Sequence, residues 1–325
     1  MRVTHGITKL GGGPMGLTIG NFDGVHRGHH AMLQRLVAKA RALNMPSCVL
    51  TFEPHPREFF ETANAQARST NAQARSIMAP TRLTRLREKL ELIAEAGIDR
   101  VHILRFDARL AALDAARFIE QVLLRGLGAR WLLVGRDFRY GARRTGDYAL
   151  LEAAAARLAF GLEAMPEVMN AGERVSSSGV RAALAEGDLE RAARLLGREY
   201  TMSGRVAHGE KLGRALGFAT ANIVLRRRPP LVGVFAVEAE LEETHRVLRG
   251  VASVGRRPTV KDNAAPLLEV HLFDWSEDIY GRHLRVKFLA KLRDEEKYDG
   301  LEALRVAISG DAARARQFFA TRNHG

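Results

Sequence analysis

The chain has 325 residues, 46% hydrophobic and 27% charged, which is an ordinary globular composition with length enough for two cores. No run of 18 apolar residues occurs, which excludes a spanning helix; the lone cysteine, Cys48, excludes an internal disulfide, and Met1 to Leu10 lacks the apolar core of a secretory signal, so a reducing cytoplasm is expected. The formal net charge of +13 raises nucleic acid as a partner, but the arginines are spread along the chain and the brief Arg226-Arg227-Arg228 cluster runs into Pro229-Pro230 without any nucleic-acid-binding signature, so neither nucleic acid nor membrane is expected.

In chain order, Met15 to Ile19 is short and apolar, as a buried strand is. Gly20-Asn21-Phe22-Asp23-Gly24-Val25-His26-Arg27-Gly28-His29 follows as a glycine-broken turn. From His30 to Leu43, Met32, Leu33, Leu36, Val37 and Ala40 recur at helical spacing. Ser47 to Phe52 is a second strand, in which Cys48 reads as a packed residue, and it ends in Phe52-Glu53-Pro54-His55-Pro56. Asn64 to Ser69 is repeated as Asn71 to Ser76, which reads as a tandem expansion of a polar loop. Arg82 to Ala96 is amphipathic and stopped by Gly97; Val101 to Leu104 is a third strand; Asp114 can cap a helix carrying Phe118, Ile119, Val122 and Leu123. Trp131 to Gly135 is a fourth strand, and a helix follows from about Asp147 to Phe160. Strands alternating with helices predict a parallel, doubly wound sheet with ligands at the carboxyl ends of its strands.

Asp188 caps a short helix with Leu189, Ala192, Ala193 and Leu196, and the pattern then changes, so domains at 1–186 and 187–325 are expected. Gly233 to Leu241 and Leu284 to Leu292 alternate strictly, and Val247 to Val254 and Leu267 to Phe273 are further strands. Close strands without helices between them predict an antiparallel sheet or small barrel, closed by two helices from about Asp299 and Asp311. The fold class is therefore a Rossmann-like α/β sheet followed by a small antiparallel β-barrel with terminal helices.

Three features carry chemistry. The turn after the first strand pairs glycines, which admit close backbone approach, with a helix start whose free N–H groups suit phosphate; His26 and His29 add donors, although a lone H-x-G-H is also compatible with a turn carrying two solvent-exposed histidines. Gly135-Arg136-Asp137-Phe138-Arg139-Tyr140-Gly141 also follows a strand, and Arg174-Val175-Ser176-Ser177-Ser178-Gly179-Val180-Arg181 sets hydroxyls and arginines at a helix start, where Ser178 alone is an ordinary N-cap. In the second half, Gly209 to Asn222 has glycines every four residues, which by spacing alone is a flexible loop. Glu269 points away from Leu268, Val270 and Leu272, a position usually left to bulk water.

The first motif, with its H-x-G-H, resembles the nucleotidyltransferase signature. Together these stretches resemble the bifunctional riboflavin kinase/FMN adenylyltransferase family, the prokaryotic FAD synthetases, over nearly the whole chain. The resemblance implies that riboflavin and ATP give FMN in the second domain, and that FMN and a second ATP give FAD and pyrophosphate in the first, with Mg²⁺ as cofactor. It implies an ATP site at Gly20, Phe22, Asp23, Gly24, His26, His29, Arg174, Ser176, Ser177, Ser178 and Arg181, with His26 and His29 acting on the phosphates. It implies a second ATP site at Gly209, Lys211, Gly213, Arg214 and Gly217, with Thr220 and Asn222 as ligands of Mg²⁺ and Glu269 as the base of the kinase. Flavin contacts are implied at Glu53, Pro54, His55, Asp137 and Arg293. Tyr140 and Ser178 replace the family's phenylalanine and threonine mildly, whereas Ala219 replaces a proline beside the metal ligands. Rival readings are a transferase of the same superfamily with another acceptor, and a non-catalytic flavin- or RNA-binding regulator. The sequence leaves monomer and homo-oligomer both open.

Overall fold

The computed structural model describes residues 1–6, 13–70, 78–208, 218–256 and 266–322. Its packing divides the chain into two units, Met1–Pro80 with Arg85–Val175, and Thr81–Thr84 with Ser176–Gly325.

In the first unit the apolar runs become parallel strands: β1 (Arg2–His5), β2 (Met15–Ile19), β3 (Ser47–Glu53), β4 (Arg100–Arg105), β5 (Ala129–Gly135) and β6 (Gly161–Met165). They pair in the order β1-β4-β3-β2-β5-β6. Because successive side chains leave opposite faces, Leu17, Ile19, Leu132 and Val134 enter one core while Val49, Val101 and Leu133 enter another. The helices α1 (Arg27–Ala42), α2 (Pro56–Thr70), α3 (Leu86–Glu95), α4 (Ala108–Ala112), α5 (Ala115–Arg117) and α6 (Tyr148–Leu158) connect the strands. Asp114 caps α5 as expected, and α5 runs into a π-helix at Phe118–Gly126 that buries Phe118, Ile119, Val122 and Leu123. Cys48 is fully buried, and burial pushes its thiol up to about 12. The expected loop at Asn64 to Ser69 is instead the end of α2, because its alanines, glutamine and arginine are good helix formers; the second copy, from Asn71, lies outside the described residues. A small hairpin, β7 (Met169–Asn170) with β8 (Glu173–Arg174), ends this unit.

In the second unit α7 (Ser177–Glu186) and α8 (Leu189–Leu196) precede β9 (Thr201–Arg205), β10 (Thr220–Val224), β11 (Gly233–Leu241), β12 (Arg246–Arg256), β13 (Pro266–Leu272) and β14 (His283–Arg293). The antiparallel order β10-β13-β12-β11-β14-β9 curls until Ala207, just past β9, bridges Asn222 of β10, which nearly closes a six-stranded barrel. One helix, α9 (Leu301–Arg322), ends the chain where two were expected. Asp311 does not start a new helix, since its buried carboxylate is bound by Arg293 and Arg314.

Candidate active sites

Strand order fixes where a ligand can sit in the first unit. From β2 the sheet grows outward through β3 and β4 on one side and through β5 and β6 on the other, so a crevice opens between the carboxyl ends of β2 and β5. The turn after β2 has Phe22, Gly24 and Val25 at φ of 48°, 85° and 38°. A β-branched residue there is strained by roughly 1–3 kcal/mol, and burial of Phe22 and Val25 holds the shape. Gly28 lets the helix start approach His26, since a Cβ there would lie 3.1 Å from His26 Nδ1.

That turn stacks His26 on His29, with ring centroids 3.7 Å apart and planes 15° from parallel. His26 Nδ1 accepts the backbone N–H of His29 at 3.2 Å and so caps α1. His29 is only partly covered as a residue, yet its Nδ1 is enclosed and has no partner. Burial first, then the charges of His26 and Lys89, hold His29 well below the usual histidine range. The ring is therefore neutral near pH 7, with one N–H to donate. Asp23 is buried beside this pair in sequence, and Gly20 packs against the Phe22 ring.

Beyond β5, Asp137 accepts Arg174 Nη2 at 2.7 Å, which brings together an expected flavin contact and an expected ATP contact; Glu167 binds the same guanidinium at 3.1 Å. His55 has a structural task, because its Nδ1 accepts Arg57 N–H and its own N–H donates to Glu58 at the start of α2. Glu53 ends β3 and Pro54 follows it. Beside them the rings of Phe52, Phe59, Phe60 and Phe106 meet at centroid distances of 5.3–5.8 Å, with Phe60 43% exposed. Sequence reasoning missed this aromatic group; the Phe59-Phe60 pair right after F-x-P-H-P was the available sign. In the second unit, Ser176 rather than Ser178 caps α7, accepting Gly179 N–H at 3.1 Å, and Ser177 and Ser178 begin the helix. Arg181 Nε donates to Thr81 O at 2.6 Å.

The barrel brings its expected residues together by register. Asn222 on β10 lies opposite Glu269 on β13, and Thr220 opposite His271, so all four project from one face. Glu269 also faces Ser253 of β12. Asn222 Nδ2 donates to Thr220 O at 3.3 Å, while its buried Oδ1 has no partner. The His271 ring holds Ala219 O at 2.9 Å and meets Phe218 edge-on. Thr220 and Asn222 line an open cleft of about 650 Å³ with Trp275, Ile279 and Tyr280; Glu269 is not part of its lining. Gly209, Lys211, Gly213, Arg214 and Gly217 lie outside the described residues. Arg293 is engaged, with Nε and Nη2 on the Asp311 carboxylate at 2.9 and 2.7 Å and its guanidinium 5.6 Å from the Tyr298 ring.

Among the described residues no helix is long and apolar enough to cross a membrane. The FAD synthetase family pattern matches residues 13–179 and the riboflavin kinase pattern residues 196–319. The chain is 45% identical over 323 residues to the bifunctional riboflavin kinase/FMN adenylyltransferase of Escherichia coli K12, covering 98% of each chain. It is 46% identical over 308 residues to that of Pseudomonas fluorescens, covering 94% of each. A crystal structure described as a macrolide-efflux protein from Streptococcus pneumoniae is similar throughout, with a TM-score of 0.77 at 25% identity over 97% of this chain and 99% of that one. By both patterns and by identity across almost its full length, the chain belongs to the bifunctional riboflavin kinase/FMN adenylyltransferase family.

Proposed function

We propose that this chain makes FAD in two steps, phosphorylating riboflavin with ATP and then adenylylating the FMN with a second ATP. The observation that carries this is the succession of both family patterns along one chain, in the order and extent of its full-length relatives. We assign adenylyl transfer to residues 1–186 and the kinase to 187–325, a division supported by matches that end at 179 and begin at 196. The small molecules are riboflavin, FMN and ATP. A cytoplasmic setting fits two ATP-consuming steps and a buried free thiol.

In adenylyl transfer an FMN phosphate oxygen attacks the α-phosphorus of ATP, and the bond to the departing pyrophosphate breaks. No side-chain nucleophile is needed, so catalysis is positioning and charge stabilisation. The start of α1 with His26 and His29 offers N–H donors to the phosphates, and the glycines of the turn admit the backbone. Gly20, Phe22, Asp23, Gly24, Arg174, Ser176, Ser177, Ser178 and Arg181 complete our assignment of this ATP site. The Phe52–Phe106 group beside Glu53, Pro54 and His55 suits an isoalloxazine ring, being aromatic and partly exposed.

In the kinase, Glu269 takes the proton of the riboflavin 5′-hydroxyl as its oxygen attacks the γ-phosphorus and ADP leaves. Mg²⁺ fits the barrel site: the partnerless Asn222 Oδ1 is a hard oxygen donor, with Thr220 two residues away on the same face. Bound there, the ion would neutralise phosphate charge. Thr220 and Asn222 would hold it.

The test is time-resolved chromatography of flavins from riboflavin, ATP and Mg²⁺. FMN is expected first and FAD after it. Glu269→Gln should abolish FMN formation yet still convert supplied FMN to FAD, and His29→Ala should do the reverse. Neither product from the parent protein would overturn the function, and equal loss in both variants would overturn the separate sites.

A further inference from the structure

Both expected metal ligands sit on an edge strand. β10 comes last in the order β10-β13-β12-β11-β14-β9, with β13 along one side and, among the described residues, the bridge from Ala207 to Asn222 on the other. That bridge holds the Asn222 end, where the Asn222 carbonyl accepts Ala207 N–H at 2.7 Å. The Thr220 end is held by a side chain. On β13 the half-buried His271 lies opposite Thr220, and its Nδ1 is 2.9 Å from Ala219 O. A carbonyl only accepts, so Nδ1 carries the proton and donates it. Two rings fix the imidazole: Phe218 meets it edge-on with centroids 5.2 Å apart, and Phe273, two residues along the same face, does so at 5.8 Å. Phe273 is itself buried and lies 4.2 Å beneath the Arg316 guanidinium.

The oxygen that His271 holds belongs to the planar peptide that ends at the Thr220 Cα, so fixing that plane fixes where the Thr220 side chain starts. It also sets the next carbonyl, Thr220 O, to which Asn222 Nδ2 donates at 3.3 Å. That bond decides which end of the Asn222 amide is left as the partnerless oxygen. We propose that His271 is a positioning residue for riboflavin phosphorylation, holding Thr220 and Asn222 through Ala219 O in the arrangement that takes Mg²⁺. This rests on the assignment of Mg²⁺ to those two residues. Mg²⁺ demands near-ideal octahedral geometry, whereas an alanine at 219 leaves φ unfixed, so an untethered strand end costs metal affinity. His271 moves no proton in this scheme, and Glu269 remains the base.

The experiment compares His271→Leu, His271→Asn and Asn222→Ala with the parent in the full chain. ADP binding is followed through the fluorescence of Trp275, which lines the barrel cleft, the other tryptophan, Trp131, being buried in the first unit. It is measured once with Mg²⁺ and once with EDTA, with kinase rate and FAD formation from supplied FMN alongside. His271→Leu keeps the bulk and loses the donor. It should weaken Mg²⁺-dependent ADP binding about tenfold, the scale on which groups behind metal ligands act, and leave binding in EDTA unchanged. The Mg²⁺ concentration for half-maximal kinase rate should rise by the same factor, while KM for riboflavin and FAD formation at saturating Mg²⁺ should not move. His271→Asn, whose Nδ2 can stand in for Nδ1, should recover most of the metal affinity. Adding Ala219→Pro to His271→Leu should recover part of it, because the proline ring fixes φ covalently. The inference is overturned if His271→Leu keeps the gain from Mg²⁺ within twofold, if ADP binding falls equally with and without the metal, or if neither second change restores it. Asn222→Ala separates the layers. If it leaves the gain from Mg²⁺ intact the metal assignment itself fails; if it removes that gain while His271→Leu matches the parent, only the histidine inference fails.

Discussion

Tyr140 shows what one misplaced atom costs. Its ring stacks on Phe138 at 5.4 Å and lies 5.7 Å from Phe118, in a slot where Gly146 must stay a glycine because a Cβ would come within 2.6 Å of the ring. Its hydroxyl is enclosed and has no partner. An unsatisfied buried hydroxyl costs about 1–3 kcal/mol, so Tyr140→Phe should stabilise the first unit by about 1 kcal/mol at pH 7 in urea unfolding. Burial, then the charge of Asp147, pushes this hydroxyl up to about 12 from an ordinary value of 10.0. Raised in the folded state, it leaves stability intact below pH 10 and withdraws it between pH 10 and 12, where the unfolded chain loses its proton first. The advantage of Tyr140→Phe should therefore widen above pH 10. A variant less stable than the parent at pH 7 would show that the hydroxyl is hydrogen-bonded in solution.

At the level of elements, α9 is tied to the barrel by one acidic side chain. Asp311 is 3% exposed at its side chain and takes both Arg293 and Arg314, and Arg293 sits at the end of β14. Removing one partner of a buried pair leaves the other charge uncompensated, at about 3–5 kcal/mol. Asp311→Ala should lower the urea midpoint of the second unit, followed through Trp275, while an unchanged midpoint would make the pair ornamental. The same residue explains a limit of sequence reading, since Gly310-Asp311 has the local look of one helix ending and another beginning, and only the distant Arg293 decides otherwise. Central strands such as β11 were legible because alternation is local and both faces report it. The edge strand β1 has one strongly apolar residue in four, and β6 is only half covered along its length, so neither carries a pattern. β10 was hidden inside a motif read as a loop. Residues of the candidate sites divide in the same way. His26 and His29 lie together in sequence, whereas Phe106 reaches its neighbours only through strand order and helix packing, which no short window contains.

For the whole molecule, the formal charge of +13 is distributed rather than gathered into an arm, and many arginines are already paired on the surface, as Arg35 is with Glu163 and Arg316 with Asp274. Such a field reads no sequence and builds no specific site. Its effect is to raise the encounter rate with anions, and salt removes it once the screening length drops to about 8–10 Å near 0.1–0.15 M. The two half-reactions make this separable, because ATP and FMN are anionic and riboflavin is neutral. Raising NaCl from 50 to 300 mM should lower kcat/KM for ATP severalfold in both steps and for FMN in the second. It should leave KM for riboflavin nearly constant at saturating ATP. If riboflavin and ATP respond alike, salt is acting on the fold or on the metal rather than on steering. If neither responds, the excess positive charge contributes to solubility alone, and capture of the nucleotide depends on the short-range donors of each site.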